Sequence, residues 1–168
     1  MSTTEENITE LENWFKDCGP GALRPKFLSK LALIELCGWL EGWMDSAIRE
    51  IDAATTKDKN WVDEVILSTH GFDYSKHFRP MVCRIVGEHS VRIAEANLEI
   101  SNSGDLEAIK STLGMLWKRR CDLAHSDMPA HQVAQIQLDA PSWTKNQYRI
   151  ISRKLEGLKL ELIKVAEA

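Results

Sequence analysis

Residues 25–54 read PKFLSKLALIELCGWLEGWMDSAIREIDAA, and this stretch decides the fold class. Leu33, Cys37, Leu40, Met44, Ala47 and Ile51 recur at three- and four-residue spacing, the period of one helix face. Leu36, Trp39 and Trp43 widen that stripe beyond a single narrow seam, so the helix is expected to pack on two sides. Pro25 suits the first turn, where its missing N–H costs nothing. The polar run from Thr55 to Asn60 breaks the pattern.

The same period continues on either side of this helix. Upstream, Ser2, Thr3 and Thr4 supply cap residues, Glu5 and Glu6 first-turn acids, and Ile8, Leu11, Phe15 and Cys18 an inward face that stops at Gly19-Pro20-Gly21. Downstream, residues 61–68 suit a short helix with His70-Gly71-Phe72-Asp73 as its exit. A further helix is expected from about Lys76, with Pro80 in its first turn and Val82, Ile85, His89, Ile93 and Ala96 on one face. It fades at residues 101–104, where Ser103 can cap the next helix, whose inward face is Leu106, Ile109, Leu113 and Leu116. Pro129 forces that helix to end by about Asp127. Residues 127–139 read as a loop, and a last helix from Ala140-Pro141-Ser142 carries Ile151, Leu155, Leu158 and Leu162. The expectation is an all-α chain, an antiparallel bundle of four long helices with short accessory helices. It forms one domain over 1–168, with 1–22 as an N-terminal helix or arm and 23–168 as the bundle.

A length of 168 residues with 43% hydrophobic content suffices for one substantial core and argues against two. The net charge of -4 excludes a broad electrostatic grip on nucleic acid, so any RNA contact must be local. Lys118-Arg119-Arg120 offers such a patch, with Arg24 and Lys26 as outlying cations. Cys18, Cys37, Cys83 and Cys121 fit neither a CxxC zinc pattern nor a disulfide framework, so free thiols and no metal or other cofactor are expected. The polar start and the lack of any long apolar run point to a cytoplasmic protein with no membrane segment.

Arg120 and His125, in Lys118-Arg119-Arg120-Cys121-Asp122-Leu123-Ala124-His125, carry the chemical interest. Spacing alone says little, because Arg84 and His89 repeat it. Position separates the two pairs. Arg120 continues the stripe 106, 109, 113, 116 at a place the pattern would give to Leu, and a buried guanidinium requires a partner, a wet cleft or an anionic ligand. An internal ion pair with Glu35, Glu41 or Asp45 would serve equally well. Arg84 falls off its stripe, and His89, on the apolar face, reads as a hydrogen-bonded core histidine. His125 stands about 140° around the helix from Arg120, in the last turn, where freed carbonyls and the helix dipole can orient its ring; a second copy across a two-fold axis could complete the site. Asp122 either holds the imidazole in one tautomer or pairs with Lys118 four residues earlier. Asp73 and His77 are two ligands at most, which is not a site. Trp39 and Trp43 suit core or interface better than base stacking, and Gly38 and Gly42 would let two helices approach closely.

Arg120-Cys121-Asp122-Leu123-Ala124-His125, late in a helical chain and followed by one more long helix, resembles the R-x4-6-H signature of the HEPN superfamily. The segment from Ala32 to Glu41 is similar to the long first core helix of those domains, where an apolar run leads into a Leu-Glu pair, and the RiboL-PSP-type group is the nearest in character. Members often carry Asn, Asp or His directly after the motif Arg; here Cys121 stands there and Asp122 follows. The resemblance implies a metal-independent endoribonuclease acting as a homodimer whose paired motifs line one cleft, in a toxin or antiphage-defence role. Arg120 and His125 would be catalytic, Asp122, Arg119 and Glu41 supporting, and Lys118 and Arg119 in contact with the RNA substrate. An antitoxin or other defence-system protein is the implied partner. The alternative is a non-catalytic helical dimer that binds or regulates a partner.

Overall fold

Ile8, Leu11, Leu33, Leu36, Leu113 and Leu116 are all withdrawn from solvent, as their spacing requires, and helices carry them throughout. The computed structural model describes residues 3–19, 23–55, 59–124 and 138–168. Among these every regular element is helical: α1 (Thr3–Lys16), α2 (Arg24–Ala53), α3 (Lys59–Leu67), a π-helical turn (Tyr74–Phe78), α4 (Arg79–Val86), α5 (Glu88–Ser101), α6 (Asp105–Ala124) and α7 (Pro141–Ala166). No described helix is long and apolar enough to cross a membrane.

The chain forms two compact units, Met1–Trp39 with Lys118–Ile150, and Leu40–Trp117 with Ile151–Ala168. In the first, Ile8 and Leu11 of α1, Leu28, Ala32, Leu33, Leu36 and Cys37 of α2, and Tyr148 of α7 are buried. Trp39 meets the Tyr148 ring edge-on at 4.8 Å. Two ion pairs tie α1 to α7 around this core, Lys145 to Glu12 at 3.2 Å and Arg149 to Glu5 at 2.6 Å.

The second unit holds the larger core. Leu40, Met44, Ala47, Ile48 and Ile51 of α2, Ile109, Leu113 and Leu116 of α6, and Ile151, Leu155, Leu158 and Leu162 of α7 are all nearly inaccessible. Each such Leu, Ile or Met side chain stabilises the fold by roughly 1.5–3 kcal/mol. Trp43 lies against Phe78 at 5.7 Å, so both tryptophans of α2 are packing residues.

Residues 79–101 depart from the expected single helix. Gly87, at φ 88°, separates α4 from α5. That backbone strongly favours glycine, since a Cβ would clash with its own peptide. The break shifts the buried face: Val82 and Ile85 point inward in α4, but in α5 it is Val91, Ala94 and Leu98 that do. His89 is therefore exposed, not a core histidine, and Ile93 and Ala96 also face outward. Arg84 is exposed and stacks on Trp61 at 5.0 Å.

Arg79 joins the two halves across this break. Its guanidinium pairs with Glu88 at 3.0 Å and with Glu95 at 2.9 Å, and Tyr74 donates its hydroxyl to the same Glu95 at 2.8 Å. Beside them the Cys83 thiol donates to Glu88 at 3.1 Å. Burial, with help from that carboxylate, pushes Cys83 up to about 11, while Arg79 above all holds Glu88 down at about 2.

Candidate functional site

Helix α6 delivers the basic run. Its inward stripe of Leu106, Ile109, Leu113 and Leu116 is buried, and Arg120, one turn further on, is half-buried at the end of the same row. Arg120 thus occupies a place between core and solvent, where a guanidinium can keep its head wet while its stem packs. Cys121 is half-buried and free of any disulfide.

Its neighbours are held by carboxylates. Lys118, exposed, pairs with Asp122 at 3.1 Å, the i,i+4 contact that was one of two readings for Asp122. Arg119 forms an ion pair with Asp139, just before α7, and its guanidinium lies over the Trp143 ring at 4.5 Å. Both cations expected to meet RNA thus carry an internal counter-charge. The Arg119 arrangement is doubly anchored, by charge and by the indole face. Asp139 and Trp143 were not legible as partners, because they arrive from about twenty residues later.

His125 lies outside the described residues, as does the side chain of Ala124, so Arg120, Asp122 and their surroundings are the part of the motif placed here. Glu41, expected to support the site, is half-buried in the second unit, where its charge acts on His77. Glu35 accepts a hydrogen bond from Asn7 at 3.2 Å.

A second cluster, set aside at the level of spacing, is built around His77. The Asp73 N–H donates to His77 Nδ1 at 3.0 Å, while the Asp73 side chain accepts from the Lys76 N–H at 2.9 Å and caps the π-helical turn. The ring meets Trp117 edge-on at 4.8 Å, and Trp117 in turn meets Phe72 at 5.4 Å. Gly71, at φ 130°, lies so close beneath that a Cβ would stand 2.7 Å from the imidazole and 2.8 Å from the indole. Burial lowers the His77 pKa, against Asp73 and Glu41, which favour the charged ring. With Nδ1 already accepting, the proton sits on Nε2, so this imidazole is a donor rather than a base.

Among the described residues no group of three or more His, Cys, Asp or Glu side chains is placed to hold a metal ion. A cleft of about 290 Å³ is lined by Arg49, Asp52, Ala53, Val62 and Asp63; Arg49 pairs with Asp63 at 2.9 Å and Asp52 accepts from Thr55. No protein-family model matches the chain, and no curated protein or solved structure matches it either.

Proposed function

We propose that this chain is an endoribonuclease of the HEPN kind, an antiparallel helical bundle working as a homodimer in the cytoplasm, with Arg120 and His125 as its catalytic pair. The observation that supports the reading most is the half-buried position of Arg120, which continues the inward row of α6 beyond Leu116. In this reading His125 takes the proton from a ribose 2′-hydroxyl as that oxygen attacks the neighbouring phosphorus. Arg120 stabilises the charge growing on the phosphorane, and the P–O5′ bond breaks with a proton delivered to the leaving oxygen. The products are a 2′,3′-cyclic phosphate and a 5′-hydroxyl. A toxin or defence role, restrained by a partner protein, extends the same reading.

The test is expression of wild type, Arg120→Ala and His125→Ala with mapping of RNA ends. Cyclic-phosphate ends from wild type, reduced at least about a hundredfold in either variant, are the expected outcome. Intact RNA with all three proteins sinks the proposal.

A second reading, a non-catalytic dimer that binds or regulates a partner, is favoured by one observation: Lys118 and Arg119 are each matched to a carboxylate within the chain, Asp122 and Asp139. It predicts that Asp122→Asn and Asp139→Asn leave RNA affinity unchanged. The nuclease reading expects both to raise it.

A further inference from the structure

Arg49, Asp52 and Ala53 of α2 and Val62 and Asp63 of α3 line one cleft of about 290 Å³. That volume is close to the lower end for small-ligand pockets, about 300 Å³, and is about ten times a water molecule's share of the liquid. Its charges do not balance. Arg49 and Asp63 pair at 2.9 Å with 53% and 57% of their side chains in solvent, so they neutralise each other at the rim. Asp52 is only 7% exposed, and among the described residues its side chain is met by the Thr55 hydroxyl and by no cation.

What Asp52 receives from Thr55 is a share of one proton. The Thr55 hydroxyl lies 3.2 Å from Asp52 Oδ1 and 3.0 Å from the Asp52 carbonyl oxygen, and it has a single hydrogen to divide between them. Asp52 also stands in the last turn of α2, which carries no basic residue, so the negative end of the helix dipole adds to its own charge. A carboxylate withdrawn from water is costly to hold without a counter-charge. Here the helix end makes that deficit larger.

The lining selects among occupants. An anion would meet Asp52 and an Arg49 already neutralised by Asp63. A metal ion needs several ligands, and among the described residues no group of three or more His, Cys, Asp or Glu side chains is placed to supply them. An alkylammonium suits both parts of the cleft: its N–H groups are donors for the carboxylate, and its carbon chain can cover Ala53 and Val62. We propose that this cleft is a binding site for a small primary amine in its protonated form, with the ammonium on Asp52 and the alkyl chain against Ala53 and Val62. The site uses neither Arg120 nor His125 and stands or falls apart from the nuclease.

Amide NMR of the full chain, titrated with n-butylammonium chloride at neutral pH and balanced with sodium chloride to constant ionic strength, tests it. Saturable shifts confined to the end of α2 and to α3 are expected, with a Kd of about 1 mM or below, the range open to so small a ligand. Asp52→Asn, whose side-chain oxygen can still accept the Thr55 hydroxyl, is expected to weaken binding at least about tenfold. Ala53→Leu, at an exposed position, keeps the carboxylate but fills the cleft, and is expected to weaken binding by at least about tenfold as well. Circular dichroism confirms that both variants keep their helicity. Butan-1-ol, which has the same chain and no charge, should give no saturable shift. Absence of saturable shifts up to about 50 mM amine overturns the proposal, as does equal binding by either variant or by butanol. Shifts spread over the whole acidic surface, or reproduced by sodium alone, also overturn it, because they mean unspecific attraction of counter-ions.

Discussion

His77 accepts the Asp73 N–H through Nδ1, so charging the ring would set a second N–H against that donor. Burial works in the same direction and lowers the pKa of the folded state. A group that binds its proton more readily when unfolded makes stability rise with pH. His77 therefore supports the fold fully above about 6.5, and its contribution falls as pH drops from there toward the lowered folded value. His77→Asn, whose side-chain oxygen can accept the same N–H, should keep stability at pH 7.5 to within about 1 kcal/mol. It should also flatten the loss of denaturant midpoint between about pH 7 and pH 5 relative to wild type. An unchanged slope in the variant removes His77 as the cause. At this scale the sequence was half legible. Asp73 and His77 were visible as a spacing, but their meaning depends on Gly71 and Trp117, and Trp117 comes from a helix forty residues later, beyond any local pattern.

Between elements, the break at Gly87 explains both what was missed and what compensates for it. The row Val82, Ile85, His89, Ile93, Ala96 keeps a helical period through the glycine, yet φ 88° turns the chain and resets which face is buried. Periodicity cannot register such a turn, because the residues on either side remain helical. The long rows of α2, α6 and α7 were legible for the opposite reason: their buried positions keep one phase, from Leu33 to Ile51 and from Ile151 to Leu162. Arg79 offsets the break by holding Glu88 and Glu95 of α5 from the first residue of α4. Arg79→Met should lower stability by about 1–2 kcal/mol, since it strands the half-buried Glu95 carboxylate with only the Tyr74 hydroxyl. Hydrogen exchange should quicken in α4 and α5 before other helices; uniform quickening would mean that Arg79 does not act as a local brace. Glu88, with its pKa held down at about 2, is paired throughout the mildly acidic range, and its share is present above 4.5 and lost as pH falls toward 2.

At the scale of the whole molecule, the net charge of -4 leaves little unspecific attraction for a polyanion. The basic run of α6 does not reverse this, because Asp122 faces Lys118 and Asp139 faces Arg119. Few phosphate contacts mean few counterions released, so affinity for single-stranded RNA should depend weakly on salt. For two or three contacts, log K against log salt should slope at about -1.4 to -2. Anisotropy titrations with a 2′-O-methyl oligonucleotide, which lacks the attacking hydroxyl and stays intact, would measure it in several salt concentrations. Asp139→Asn removes the charge that holds Arg119 and should steepen the slope by up to about 0.7, one contact's worth. A wild-type slope steeper than about -4 would mean about six contacts, more than the three cations of Lys118-Arg119-Arg120 can make. That result would move the RNA contact away from α6.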